Sequence, residues 1–190
     1  MANKNEPFGL RAIGKVGQNR DNQGLSEYSI ANNYATTIYF QDAVKPVAGG
    51  VIEQAAAGDR LLGSLNGVFY TDPTTSKPTF ANHYAQVNAS DIVAFVSDDP
   101  YERFEIQTDI STASAQTDVF MNADIVVSAG VAANFVSNSM LDDATLSTTS
   151  GQLKITGPST NIDNSDIASG YVNWVVMINE HIYNSATAGI

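Results

Sequence analysis

The residues best suited to chemistry in this chain are carboxylates, and the densest group is Asp98, Asp99, Glu102 and Glu105 in the stretch SDDPYERFE. Paired carboxylates bind hard divalent cations through oxygen or share a proton in acid–base work. The spacing matches no closed metal motif, and Arg103 sits inside the group. The preferred reading is therefore an acidic turn, solvated or facing a partner subunit, with Asp98, Asp99 and Glu102 as its contact residues. A second group, Asn161, Asp163, Ser165 and Asp166, has the alternation of a calcium loop. It carries Asp166 where that loop takes glycine and Val172 where the closing carboxylate belongs. The two histidines, His83 in NHY and His181 in EHI, stand without an HExxH pattern or a paired nucleophile. Ser64 in GSLNG misses the register of the GxSxG elbow, and neither GxxxxGK(S/T) nor GxGxxG occurs. With no cysteine there is no disulfide, thiolate metal site or thiol nucleophile. The inventory predicts a non-enzyme with no catalytic, cofactor-binding or metal-ligating residues and no cofactor.

The carboxylates belong to a longer unit, Ile92–Thr108, that reads as strand, acidic turn and strand. The expectation is a hairpin with Val93, Phe95, Phe104 and Ile106 facing the core and Glu105 and Gln107 on the opposite face. Other strands are read at Ser26–Ile30, Ala35–Phe40 and Val51–Gln54. Val44–Val47 reads as an edge strand or a strand end, because Pro46 cannot donate to a ladder. Gly49-Gly50 and Gly58-Asp59 mark turns. Asn66-Gly67 lies between the apolar runs Arg60–Leu65 and Val68–Thr71, the pattern of a type I′ hairpin. Asp72–Pro78 is a polar loop. Further strands are expected at Asp118–Val127 and Gly151–Thr156, a turn of helix within Asn138–Leu146, and a buried strand at Tyr171–Asn179, with a short helix as the alternative that periodicity leaves open. Strands and turn signals at intervals of about ten residues predict an all-β fold. The body, residues 25–190, is expected to be an antiparallel β-sandwich or barrel-like unit, either a jelly roll or a compact barrel. Residues 1–24 read as an extended N-terminal arm.

Charge divides along the same line. Charged residues are 15% of 190 and the net charge is −11. Lys4, Arg11, Lys15 and Arg20 oppose Glu6 alone in the first twenty residues, which gives +3 there and −14 on the rest. An acidic body argues against nucleic-acid binding, which needs a basic footprint. No apolar run approaches the length of a membrane-spanning helix, and no signal-peptide pattern opens the chain, so neither membrane nor secretory contact is expected. In the arm, Phe8, Leu10, Ile13 and Val16 interleave with Arg11, Lys15 and Arg20. Such a segment favours a groove, on its own body or on a neighbour.

Five pieces of sequence carry a likeness to a known family: the opening MANKNEPFGLRAIG, then EYSIANNYATTIYFQDAV, LNGVFY at Leu65–Tyr70, SDDPYERFEIQ at Ser97–Gln107, and the ending VVMINEHIYNSATAGI. Together they resemble the head decoration, or cement, proteins of tailed bacteriophages. The likeness is weak between Ala129 and Ser169. The resemblance implies a homotrimeric structural protein, assembled in the host cytoplasm, on the outer surface of the virion capsid. Its partners would be the major capsid protein and itself. The arm residues Phe8, Leu10, Arg11, Ile13, Lys15, Val16 and Arg20 would supply capsid contacts, and removing residues 1–24 should leave a folded body. The alternative is a receptor- or glycan-binding module from a tail or head fibre, which needs Trp and Tyr clustered on one face.

Overall fold

Alternating apolar residues and turn formers produce a chain of short strands, as the sequence predicts. The computed structural model describes residues 3–17 and 24–184. In order, the strands are β1 (Arg11–Lys15), β2 (Ser26–Ile30), β3 (Ala43–Val47), β4 (Val51–Gln54), β5 (Gly63–Thr71), β6 (Pro78–Ala81) and β7 (Val93–Ser97). They continue as β8 (Glu102–Gln107), β9 (Asn122–Ala123), β10 (Ile125–Val126), β11 (Met140–Leu141), β12 (Leu153–Pro158) and β13 (Asn173–Ile178). Single 3-10 turns occupy Gln116–Asp118 and Asp143–Thr145, the second inside the segment read as a turn of helix.

Five strands close into a ring, β3–β4–β2–β7–β5, with β5 returning to β3 through Ala43↔Ser64 and Val44↔Gly63. All contacts in the ring are antiparallel except β2–β4. Closure leaves these strands little free edge. Its interior holds Ile30, Val44, Ile52, Leu65, Val68, Ala94 and Val96, together with Ile38, Leu62 and Tyr84. The sharp β3–β4 turn uses Gly49 and Gly50, whose φ values of 96° and 74° favour glycine. Strand β6 lies outside the ring, paired with the C-terminal half of β5.

Asn66-Gly67 does not turn the chain. It forms a β-bulge within the continuous strand β5, where the register against β7 shifts between Leu65 and Gly67. The same tolerance of positive φ serves either feature, and Gly67 sits at φ 153°. The bulge bends β5 so that one half meets β3 and the other β6.

The second layer is an antiparallel sheet in the order β1-β8-β13-β12-β9. Strand β13 lies at its centre, in the run expected to be a buried strand. Trp174, Val176 and Ile178 pack with Phe104, Ile106, Leu153 and Ile155, and with Ala43, Ala55 and Leu61 from the barrel side. The two layers are stitched by main-chain bonds, including Leu61 N–H to the Glu180 carbonyl (3.0 Å) and Ile182 N–H to the Leu61 carbonyl (3.0 Å).

The Ile92–Thr108 unit is not a hairpin. Strand β7 pairs with β2 and β5 in the barrel, whereas β8 pairs with β1 and β13 in the sheet. The acidic turn carries the chain from one layer to the other. Phe104 and Ile106 face the core as expected. In β7 the small Ala94 and Val96 point inward while Val93 and Phe95 are half-buried on the outside, because the narrow barrel interior selects the opposite parity. Ala35–Phe40 is likewise not a strand. It makes isolated bridges, Ile38 with Tyr84 and Phe40 with Val136, before Gln41 turns at φ 69°. Asp118–Val127 is interrupted at Phe120 (φ 73°) and divides into β9 and β10, which join different sheets.

Candidate functional site

The N-terminal segment lies on its own body and is held chiefly through its main chain. Asn164 accepts from the Lys4 N–H (2.8 Å) and donates to the Lys4 carbonyl (2.6 Å). The buried Gln107 amide donates to the Lys4 carbonyl (3.0 Å) and accepts from the Glu6 N–H (3.0 Å). Gly9, at φ 77°, lets the chain press against Gln41, whose carbonyl would lie 2.3 Å from an added Cβ. Leu10 then enters the core, its N–H bonded to the Gln41 carbonyl (2.8 Å) and its carbonyl receiving the Ser64 hydroxyl (2.6 Å). Strand β1 follows, paired antiparallel with β8. Arg11 bonds Glu105 and lies over the Phe8 ring, 4.3 Å from its centroid. Lys15 reaches Asp99 at 2.7 Å. Of the arm residues read as partner contacts, Leu10 faces its own core, whereas Ile13 and Val16 are exposed. Arg20 lies outside the described residues.

The acidic turn is engaged rather than solvated. Asp98 accepts from the Ser26 hydroxyl (2.8 Å) and the Tyr28 hydroxyl (2.5 Å), and Tyr28 also contacts the Tyr183 hydroxyl at 2.6 Å. Burial and the Asp98 carboxylate push the Tyr28 phenol strongly up. Lys15 holds the Asp99 carboxyl below its usual range, and Asp99 raises the Lys15 ammonium in return. Glu102 is buried, and that burial pushes its carboxyl up. Tyr101 is the exposed side chain at the tip. The turn therefore clamps β1 and β2 together. Among the described residues no group of three or more His, Cys, Asp or Glu is placed to hold a metal ion.

Several of the remaining chemical candidates are engaged as well. Asn164, in the calcium-like stretch, is bound to Lys4. His83 stacks on Phe135 with centroids 3.7 Å apart. His181 is buried, accepts at Nδ1 from the Tyr183 N–H (3.1 Å), and has its pKa pulled down by burial. Ser64 is buried and bonded to Leu10.

What the surface does present is an aromatic wall on the outside of the barrel. Phe69 in β5 stands directly opposite Phe80 in β6, and opposite Val93 in β7 on its other side. Phe95 packs on Phe80 with ring centroids 6.0 Å apart. The Phe80 ring covers the bulge glycine, its Cζ 2.9 Å from where a Gly67 Cβ would stand. Phe80 is 65% exposed and Phe69 40%. Glu27, opposite Phe95 on β2, adds an acidic neighbour. Sequence reasoning missed this wall. The alternation was visible in VFYT and PTFA, but which face turns outward depended on barrel closure.

No family model matches the chain, and no curated protein or solved structure matches it.

Proposed function

We propose that the protein is a capsid decoration, or cement, protein. It is a non-enzymatic virion subunit that assembles as a homotrimer on the outer surface of the expanded icosahedral head and stabilises contacts between major capsid subunits. The observation that carries this reading is the aromatic wall of Phe69, Phe80, Phe95 and Val93, spread over an open sheet face. Apolar area of this kind suits contact with another protein surface. The resemblance in the five sequence pieces supplies the class of partner. The mechanism is thermodynamic: a subunit that binds only the expanded lattice stabilises it by mass action, and many copies add their contributions. The acidic body keeps the free subunit soluble and away from nucleic acid.

This reading moves the capsid contact from the arm toward the wall, because Leu10, Arg11 and Lys15 are engaged within the chain. Replacing Phe80 by Ser should weaken co-sedimentation with expanded capsids by roughly ten- to a hundredfold, since burying a Phe side chain contributes about 1.5–3 kcal/mol. The melting temperature should stay within a few degrees. Unchanged capsid binding by this variant would remove the wall from the contact. The glycan-binding alternative gains nothing from Trp174, which lies in the core.

A further inference from the structure

Beyond β13 the chain leaves the sheet and lies against the barrel as a short strap, residues 180–184. Its main chain brackets Leu61, which donates to the Glu180 carbonyl and accepts from the Ile182 N–H, each at 3.0 Å. Ile182 packs against the barrel core. The Tyr183 hydroxyl meets that of Tyr28 at 2.6 Å, and Tyr28 donates onward to Asp98. Inside the strap stands His181, fully buried. Its ring closes the turn by accepting the Tyr183 N–H at Nδ1 (3.1 Å). Accepting at Nδ1 places the proton of the neutral ring on Nε2, which has no hydrogen-bond partner among the described residues. An imidazole held in this way fits its site only in the neutral form.

Charging the ring breaks that arrangement. A proton on Nδ1 sets two donors face to face at the Tyr183 bond, and a charged ring in a dry site carries a desolvation cost. The surrounding groups do not remove this cost. The Asp98 and Asp99 carboxylates and the main chain at Leu62 and Asp98 favour the charged ring, but burial outweighs them and holds the pKa below its ordinary value. Asp98 is already bonded to Ser26 and Tyr28, and Asp99 to Lys15. Glu102 lies in the same turn, while Glu180 and Arg60 are the chain neighbours of His181 and Leu61. Once the strap lifts, the ring meets water and regains an ordinary pKa of about 6.5, so the open form binds more protons than the closed one. The closed form therefore keeps its full advantage above that pH and loses it as the pH falls.

We infer that His181 is an acid-sensitive latch: its neutral ring holds residues 180–184 on the barrel, and its protonation releases them. The latch is independent of what the assembled protein binds, so its failure and that of the capsid reading are separable. Amide hydrogen exchange of the full-length protein, followed by NMR and corrected for intrinsic rates, reads the strap through the Ile182 and Tyr183 amides. Their protection factors should fall by up to tenfold between about pH 7.5 and 5.5, the ratio set by an open-state pKa of about 6.5. The Val176 amide, in the centre of the sheet, should keep its protection over the same range. His181→Asn leaves an acceptor where Nδ1 stood but gains no proton, so its strap protection should not change with pH. Equal falls in the parent and His181→Asn, a fall shared by Val176, or flat protection in the parent would each overturn the latch. If His181→Asn does not fold, the ring nitrogen resonances of the parent decide. Nδ1 has to gain its proton in step with the loss of Ile182 protection, and a ring that titrates without that loss overturns the latch.

Discussion

Asp42 and Glu102 are both buried carboxyls that burial pushes up, yet they are surrounded differently. Asp42 receives the Ser137 and Ser139 hydroxyls (2.5 and 3.3 Å) on one oxygen, and the Tyr39 N–H and Gln54 amide (2.8 and 2.7 Å) on the other. These four donors oppose the cost of burial, and they tie the start of β3 to β4 and to residues 137–139. Asp42→Ala leaves them without an acceptor in a dry site and should cost roughly 3–5 kcal/mol in urea unfolding. A loss below 1 kcal/mol would mean that water replaces the carboxylate. Glu102 has only the Gly14 main chain and the Lys15 charge working against its burial. Its folded pKa lies above the unfolded one, so between the two values the folded state holds more protons. Stability from this group therefore falls as pH rises through that window. Glu102→Gln should flatten the dependence of the urea midpoint on pH above the ordinary glutamate pKa of about 4.3. An unchanged slope would assign that dependence to other groups.

At the scale of elements, glycines set how closely the strands approach. A Cβ on Gly63 would lie 2.0 Å from the Ser97 carbonyl oxygen, where β5 meets both β3 and β7. Gly63→Ala has to separate two backbones and should destabilise by about 2–3 kcal/mol. Gly157, at the register shift between β12 and β13, has nothing within 4 Å of its Cβ position. Gly157→Ala should stay within about 0.5 kcal/mol of the parent. Melting curves for the pair distinguish a closed barrel from a looser sheet, since an open β5–β7 seam would make both changes harmless. The bulge at Asn66-Gly67 carries the same lesson. Its dipeptide is written locally, but whether it becomes a turn or a bulge depends on strands that arrive from elsewhere in the chain.

For the whole molecule, the N-terminal segment is the point of largest revision. Read as a separable arm, it instead places Leu10 in the core shared by the two layers and adds an edge strand to the sheet. Leu10→Ala should then cost about 2–5 kcal/mol, and deletion of residues 1–24 should lower the unfolding midpoint rather than leave an intact body. A Leu10→Ala midpoint equal to the parent's would return the segment to the status of a loose arm. The sequence by itself determined the all-β class, the Gly49-Gly50 turn, the polar loop after Asp72 and the burial of Phe104 and Ile106, and it favoured the strand found within Tyr171–Asn179. These follow from period-two alternation and turn chemistry, which act over a few residues. Only the tertiary structure decided that β7 and β8 serve different layers, that Ala94 rather than Phe95 faces inward, and that Gln107 and Asn164 hold Lys4 from 103 and 160 residues away. Pairing, parity and the satisfaction of buried polar groups are settled by closure and register between distant segments, and local pattern carries no record of which distant strand will arrive.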